Sequence, residues 1–288
     1  MSAPKHIHHP TTVEQALELL GRGDGVLCLA GGATLVAMMN AGLVEPAELV
    51  SLSSIDELRG IRALPDGGLR IGAMTLHRDT AADARLTGDL GVVAEAARQI
   101  ANPAVRNMGT LGGSISFADP AADYPAALVA AGADIEVAGT QGRRRVPARE
   151  FFVDWYATAL APGELVTAAL LPAPAVGLGR YDKLARVAGD HAIVSVALSI
   201  VWAAGACTRV GLAVGGCGPK PLHRTEADEL LRAERLGEAA AQRATEMLMA
   251  DADPLDDVRA SADYRRQVMP RMVARAVAAA RAQLAGRP

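Results

Sequence analysis

Aromatic side chains are almost missing: three Phe, four Tyr and two Trp make up 3% of 288 residues. A chain so poor in flat rings offers no platform on which successive bases of a single-stranded nucleic acid could stack. Its core must be close-packed from small side chains, and alanine, about a fifth of the sequence, supplies them. Cysteine is scarce too. Cys28, Cys207 and Cys217 are far apart and form no C-x-x-C or C-x-x-H pattern, so the chain itself carries neither an iron–sulfur cluster nor a Cys-rich zinc site of familiar spacing. A disulfide framework is equally excluded, which fits a reducing compartment. Neither sign of charge dominates: 29 Lys and Arg face 32 Asp and Glu, a net charge of -3. There is then no broad field to draw in phosphate backbones or anionic lipid, and no nucleic-acid partner is expected. The longest apolar run, Ala192 to Ala206, is broken by Ser195 and Ser199 and is too short to span a bilayer. Residues Met1 to Lys5 lack the apolar stretch of a signal peptide. The reading is a cytoplasmic protein without a membrane span. Also missing are a strand-to-helix G-x-G-x-x-G, a Walker A segment, H-E-x-x-H and a nucleophile elbow, which removes support for Rossmann and hydrolase readings.

What is present reads as two domains, at about twice the common domain length. Thr11-x-x-Glu14 reads as a capping box opening a helix with Val13, Leu17 and Leu20 as its apolar stripe. The Gly21–Gly25 turn leads to a strand over 26–30, a loop Gly31-Gly32-Ala33-Thr34, a helix over 35–41 and a strand over 49–52: a small α/β unit. A second stretch predicts a strand over 69–73 and a helix over 90–100 stopped by Asn102-Pro103. A long glycine-rich loop through Pro120 comes next, then a helix over 124–131 and strands over 135–138 and 165–171. Pro172-Ala173-Pro174 and Gly177-Leu178-Gly179 form the clearest linker, dividing residues 1–176 (lobes about 1–60 and 61–176) from 177–288. Past it, strands over 180–184, 193–202 and 210–214 end in the turn Gly215–Pro219, and helices over 225–232, 238–249 and 264–284 follow. Strands succeeded by helices give an α+β class, with an antiparallel sheet covered on one face.

The features with chemical content are two double-glycine loops, Ala30-Gly31-Gly32-Ala33-Thr34 and Gly109-Thr110-Leu111-Gly112-Gly113-Ser114. Without a Cβ the backbone can come close to a ligand and aim successive N–H groups at one cluster of oxygens. Two such loops could clasp the two phosphates of a dinucleotide from opposite sides. The cluster His6, His8, His9 reads as a solvated tail rather than a metal site, with no carboxylate nearby in sequence. Arg143-Arg144-Arg145 reads as a solvated hairpin turn, and His77 and His191 as structural or exposed.

These loops carry a resemblance. The chain resembles the FAD-binding medium subunits of the molybdenum hydroxylases, the family that includes carbon monoxide and xanthine dehydrogenases. The matching runs are Ala30–Leu35, Arg106-Asn107-Met108-Gly109-Thr110-Leu111-Gly112-Gly113-Ser114 and Ala118-Asp119-Pro120-Ala121-Ala122-Asp123. Ile71–Thr75, Pro162–Leu165, Tyr181–Leu184 and Gly215–Pro219 continue it in family order along nearly the whole chain. The R-N-x-G-T-x-G-G-S…A-D-P-A-x-D run is highly specific.

The resemblance implies a two-lobed PCMH-type FAD-binding domain, followed by a C-terminal flavoprotein domain with an antiparallel sheet and helices. It implies that Cys28, Leu29, Ala30, Gly31, Gly32, Ala33, Thr34 and Leu35 run along the FAD diphosphate, Thr34 donating a hydroxyl. Thr110, Leu111, Gly112, Gly113 and Ser114 then form the opposing phosphate loop, Ser114 standing where several relatives carry asparagine. Asp123 makes a polar contact with FAD, Ile100 and Val166 apolar contacts, and Tyr181 and Lys183 approach the isoalloxazine ring. No catalytic acid or base and no metal ligand is implied. The implied partners are a small subunit with two 2Fe-2S clusters and a large molybdopterin-binding subunit, this chain passing electrons from the clusters to an external acceptor. A flavin-free scaffold subunit and a stand-alone flavin oxidoreductase remain open alternatives. If Gly112 faces the diphosphate, Gly112→Val should abolish FAD retention more than folding.

Overall fold

The computed structural model describes residue 4 and residues 6–23 and 25–285. Met1–Ala3, Lys5, residues 286–288 and the Asp24 of the glycine turn lie outside the described residues. The chain opens with β1 (His6–His8), α1 (Val13–Leu20), β2 (Val26–Leu29), α2 (Leu35–Asn40) and β3 (Glu48–Ser51). The three strands form a parallel sheet in the order β1-β3-β2. The histidine tail is therefore itself a strand, its His8 Nε2 2.7 Å from a Glu48 carboxylate oxygen. The cap of α1 also shifts by one residue. Thr12 accepts from the Gln15 N–H, and Gln15 reaches back to the N–H of Thr11.

The second lobe runs through β4 (Ile61–Ala63), β5 (Leu69–Gly72), α3 (His77–Ala82), α4 (Gly91–Gln99), α5 (Pro103–Arg106), α6 (Leu111–Phe117) and α7 (Asp123–Ala131). It continues with β6 (Asp134–Gly139), β7 (Gly142–Pro147), α8 (Ala148–Phe151), β8 (Phe152–Asp154), β9 (Ala157–Thr158) and β10 (Leu165–Leu171). Five strands form an antiparallel sheet in the order β4-β5-β10-β6-β7. Two sequence expectations fail here. The glycine-rich stretch up to Pro120 is not one loop. It holds α5, capped by the Asn102 side chain on the Val105 N–H at 3.0 Å, and α6, capped by Thr110 on the Gly113 N–H at 3.2 Å. Arg143-Arg144-Arg145 is not a turn but the middle of β7. Its guanidinium groups are drawn onto the sheet by carboxylates distant in sequence: Arg143 reaches Glu57 at 2.8 Å, and Arg144 makes a two-pronged contact with Glu164 at 2.8 and 2.5 Å.

The C-terminal part consists of β11 (Gly177–Leu184), β12 (Val194–Ala203), β13 (Ala206–Gly215), α9 (Thr225–Ala233), α10 (Glu238–Met249) and α11 (Ala262–Leu284). Gly177-Leu178-Gly179 thus belongs to β11 and not to a linker. The β11-β12-β13 sheet is covered on both faces, not one. On one face Val194, Val196, Leu198 and Ile200 pack with Leu231, Leu248, Met269 and Val273 of the three final helices. On the other, the paired residues of β12 and β13 opposite α7 are small, Ser195, Ala197 and Ser199 beside Gly215, Ala213 and Gly211. These admit α7, every residue of which is buried, as a helix enclosed all round must be. A Cβ on Gly211 would lie 2.0 Å from the Ala130 carbonyl oxygen, so helix and strand meet backbone to backbone. The scarcity of aromatics and wealth of alanine are explained here by close layers rather than bulky fillers. No helix among the described residues is long and apolar enough to cross a membrane.

Candidate functional site

A cavity of about 860 Å³ lies between the first lobe, the second lobe and the loop after β11, at the upper end of the size usual for small-molecule sites. The loop joining β2 to α2 forms one wall. Gly31, Gly32, Ala33 and Thr34 line the cavity, and none of their four backbone N–H groups donates a hydrogen bond within the described residues. Gly32 sits at φ +77°, a left-handed conformation that favours glycine. Such a row of unpaired amides at a cavity wall suits an anionic oxygen cluster.

The second glycine loop meets the first directly. A Cβ on Gly31 would fall 1.9 Å from the Met108 carbonyl oxygen, so Gly31 is small in order to let the two loops touch. Thr110, Gly112, Gly113 and Ser114 also line the cavity. The amides of Gly112, Gly113 and Ser114 are already engaged, contrary to the symmetric clasp the sequence suggested: Gly112 donates to the Ala73 carbonyl at 2.7 Å, Gly113 to the Thr110 hydroxyl, and Ser114 to the Thr110 carbonyl at 3.1 Å. This side offers hydroxyl groups and a Cβ-free surface instead. The Ser114 hydroxyl has no protein partner among the described residues. Gly112 does not look onto the cavity with its missing side chain. A Cβ there would lie 2.5 Å from the Cβ of Ala73 and 2.8 Å from its carbonyl oxygen, so the expectation that Gly112→Val acts mainly on a bound diphosphate is corrected: it acts on the fold.

Cys28, Ala30, Leu35, Ile100, Asp123 and Val166 line the cavity as well. Burial pushes the Cys28 thiol up to about 12, so it stays protonated and offers no thiolate. Four expected contact residues stand behind the wall: Leu29, Leu111, Tyr181 and Lys183 do not line the cavity. Leu111 is wholly buried in the core beneath α6. Tyr181 and Lys183 turn to Asp123: the tyrosine hydroxyl donates to its Oδ1 at 2.7 Å, and the lysine Nζ lies 3.0 Å from Oδ1 and 3.1 Å from Oδ2. The Lys183 side chain is thus enclosed, 4% exposed. Asp123 is the first residue of α7, and its carboxylate makes no cap bond. Burial pushes its carboxyl above the ordinary range, against the opposing pull of Lys183 and Tyr181.

Sequence reasoning missed several wall residues. His77, at the start of α3, lines the cavity with its ring against Gly109, and its Nδ1 lies 3.3 Å from the Tyr124 hydroxyl. Burial, helped by Arg106, holds it down at about 4, so it is neutral near pH 7. Phe117, Asp119 and Leu165 add wall from neighbouring elements, and Gly189, Asp190 and His191 add it from the loop after β11. His191 Nδ1 lies 3.9 Å from Asp119. An apolar end is built by Leu20, Val26, Met38, Val44 and Leu52 of the first lobe. Asp119 and Leu165 fall inside matching runs; the others carry no local signal, since tertiary folding alone brings them to the cavity. No cluster of three or more potential metal ligands exists among the described residues.

Comparison with known proteins bears on this cavity. Residues 3–174 match the family described as the FAD binding domain in molybdopterin dehydrogenase, and residues 179–280 match the CO dehydrogenase flavoprotein C-terminal domain. The chain is similar to the carbon monoxide dehydrogenase medium chain of Hydrogenophaga pseudoflava, with 36% identity over 96% of this chain and 97% of that one. It is 31% identical to the nicotine 6-hydroxylase medium subunit of Paenarthrobacter nicotinovorans, over 95% of this chain and 96% of that subunit. A solved chain of the cyanide-inactivated Cu,Mo-CO dehydrogenase superposes with a TM-score of 0.92 at 34% identity, covering 98% of this chain and 100% of that one.

Proposed function

Because the chain belongs to the FAD-binding medium subunits of the molybdenum hydroxylases, we propose that it is the electron-relaying flavoprotein subunit of a molybdenum-dependent dehydrogenase. It carries FAD and passes electrons from a small subunit with two 2Fe-2S clusters, supplied in turn by a large molybdopterin-binding subunit, to an external acceptor. The observation that carries this reading is the row of four amides at Gly31–Thr34, without partners among the described residues, at the wall of a cavity large enough for a dinucleotide. In this assignment those amides and the Thr34 hydroxyl hold the diphosphate, with Thr110 and Ser114 adding hydroxyl contacts from the opposite wall. Ile100, Val166 and Asp123 flank the rest of the cofactor, and the apolar end between Leu20 and Leu52 takes a flat base. FAD supplies the capacity to accept and release electrons singly or in pairs.

The protein's own part is to bind, orient and shield. His77 is neutral and Cys28 is protonated, so neither adds charge to the wall. We assign residues 1–176 to the FAD-binding unit and 177–288 to the C-terminal flavoprotein unit. The separate free thiols Cys28, Cys207 and Cys217 support a cytoplasmic place of work. The test is purification of the tagged chain from its native cell. Recovery of bound FAD together with an iron–sulfur and a molybdenum-containing protein is expected. A colourless chain that refuses added FAD, or one recovered without such proteins, overturns the proposal.

A further inference from the structure

Lysine is rare in this sequence: of 29 basic residues only Lys5, Lys183 and Lys220 are not arginine. One of the three is buried at the back of the cavity wall, which calls for a reason. Tyr181 and Lys183 are two apart on β11 and project from the same face of the strand. Both reach Asp123, which lines the cavity where they do not. Lys183 Nζ also donates to the carbonyl oxygen of Gln99 at 2.7 Å, at the last residue of α4. The Gln99 side-chain amide returns to the Tyr181 carbonyl at 3.1 Å. Ile100, the next residue, is again a cavity residue. One compact ammonium therefore ties the end of α4 to the start of α7, and through them two separate pieces of wall. An ammonium can aim three N–H groups at partners on different elements, whereas a planar guanidinium fixes its donors in one fork.

From this geometry we infer that Lys183 and Tyr181 are positioning residues for Asp123, holding its carboxylate ionised and in one orientation at the cavity wall. The inference rests on the functional reading above. The groups facing the carboxylate are Lys183 and Tyr181 from β11, His191 from the following loop and Tyr124 within α7. Lys183 is the one that touches it with a full positive charge. Without that counter-charge, a carboxylate so enclosed takes up a proton.

The test uses the full chain with Lys183→Met, Tyr181→Phe and the double variant Lys183→Met/Asp123→Asn. Infrared spectra near neutral pH should show a protonated-carboxyl band in Lys183→Met that is missing in both the native chain and the double variant. FAD affinity of Lys183→Met should fall about tenfold near pH 7 and recover as the pH rises toward about 9, while that of the native chain stays level. Tyr181→Phe keeps the ring in the core and loses one donor, so its affinity should fall about threefold with no new band. Affinity unchanged in Lys183→Met, or lost without the carboxyl band, overturns the inference. If Lys183→Met does not fold, native affinity in Tyr181→Phe overturns it. A native chain that takes up no FAD overturns the functional reading instead, and the carboxyl band still decides what Lys183 does.

Discussion

Gly112 shows how differently a residue reads before and after folding. In the sequence it is one of a glycine pair and suggests a ligand. In the fold it is where the first turn of α6 presses on the backbone of Ala73, its N–H donating to the Ala73 carbonyl at 2.7 Å. Gly112→Val should therefore destabilise the whole chain by about 3 kcal/mol, the scale of a forced core overpacking. Denaturant unfolding of the native and variant chains checks this; full stability with lost FAD would instead place the effect of Gly112→Val at the diphosphate. Gly31 belongs to the same class, set against Met108 of the facing loop. That glycines would lie at this site was legible in the sequence. Which of them meet a ligand and which meet protein was not, because the partners of Gly31 and Gly112 come from segments far along the chain.

At the scale of elements, regular pieces were readable and short or strained ones were not. The strand over 165–171 and the helix over 238–249 follow from apolar content and spacing alone, and fall at Leu165–Leu171 and Glu238–Met249. α5 and α6 are too short for periodicity to reveal, and depend on single capping side chains, Asn102 and Thr110. β7 looks like a solvent turn until Glu57 and Glu164 arrive from other elements. The pairing of α3 with α7 was likewise hidden, since it runs through His77 and Tyr124, whose ring centroids are 5.4 Å apart.

That pairing has a pH signature. The folded His77 titrates at about 4, below its ordinary 6.5. Between those values the unfolded chain takes up a proton that the folded chain does not. The associated stability is fully present above about pH 6.5, falls as the pH drops toward 4, and changes no further below it. The drop amounts to about 3 kcal/mol. Unfolding measured across this window for the native chain and His77→Gln should show a steeper acid loss in the native chain.

For the whole molecule, the two assigned units are not independent bodies. Tyr181, Ala197 and Ala213 of the C-terminal sheet belong to the same core as α4 and α7. Asp89, wholly buried, accepts from the Ala175 N–H at 2.8 Å and pairs with Arg209 of β13. The Ala121 carbonyl, beside the cavity, accepts from the Ala192 N–H at 3.2 Å, and Pro120 accepts from Gly216 at 3.0 Å. A chain cut after residue 176 should lose a face of α7 to water and melt without a cooperative transition, as calorimetry would record. A sharp, reversible melt of that fragment would contradict this.

The four idle donors of the β2–α2 loop have a practical corollary. A protein that presents them in a row has an appetite for any small oxyanion. In buffers rich in sulfate, phosphate or pyrophosphate, such ions will sit where the coenzyme's own charged bridge belongs, propping up the fold while slowing the entry of the genuine occupant. Reconstitution therefore proceeds best in simple chloride salts, and a preparation that looks robust in phosphate is no guide to whether it is loaded.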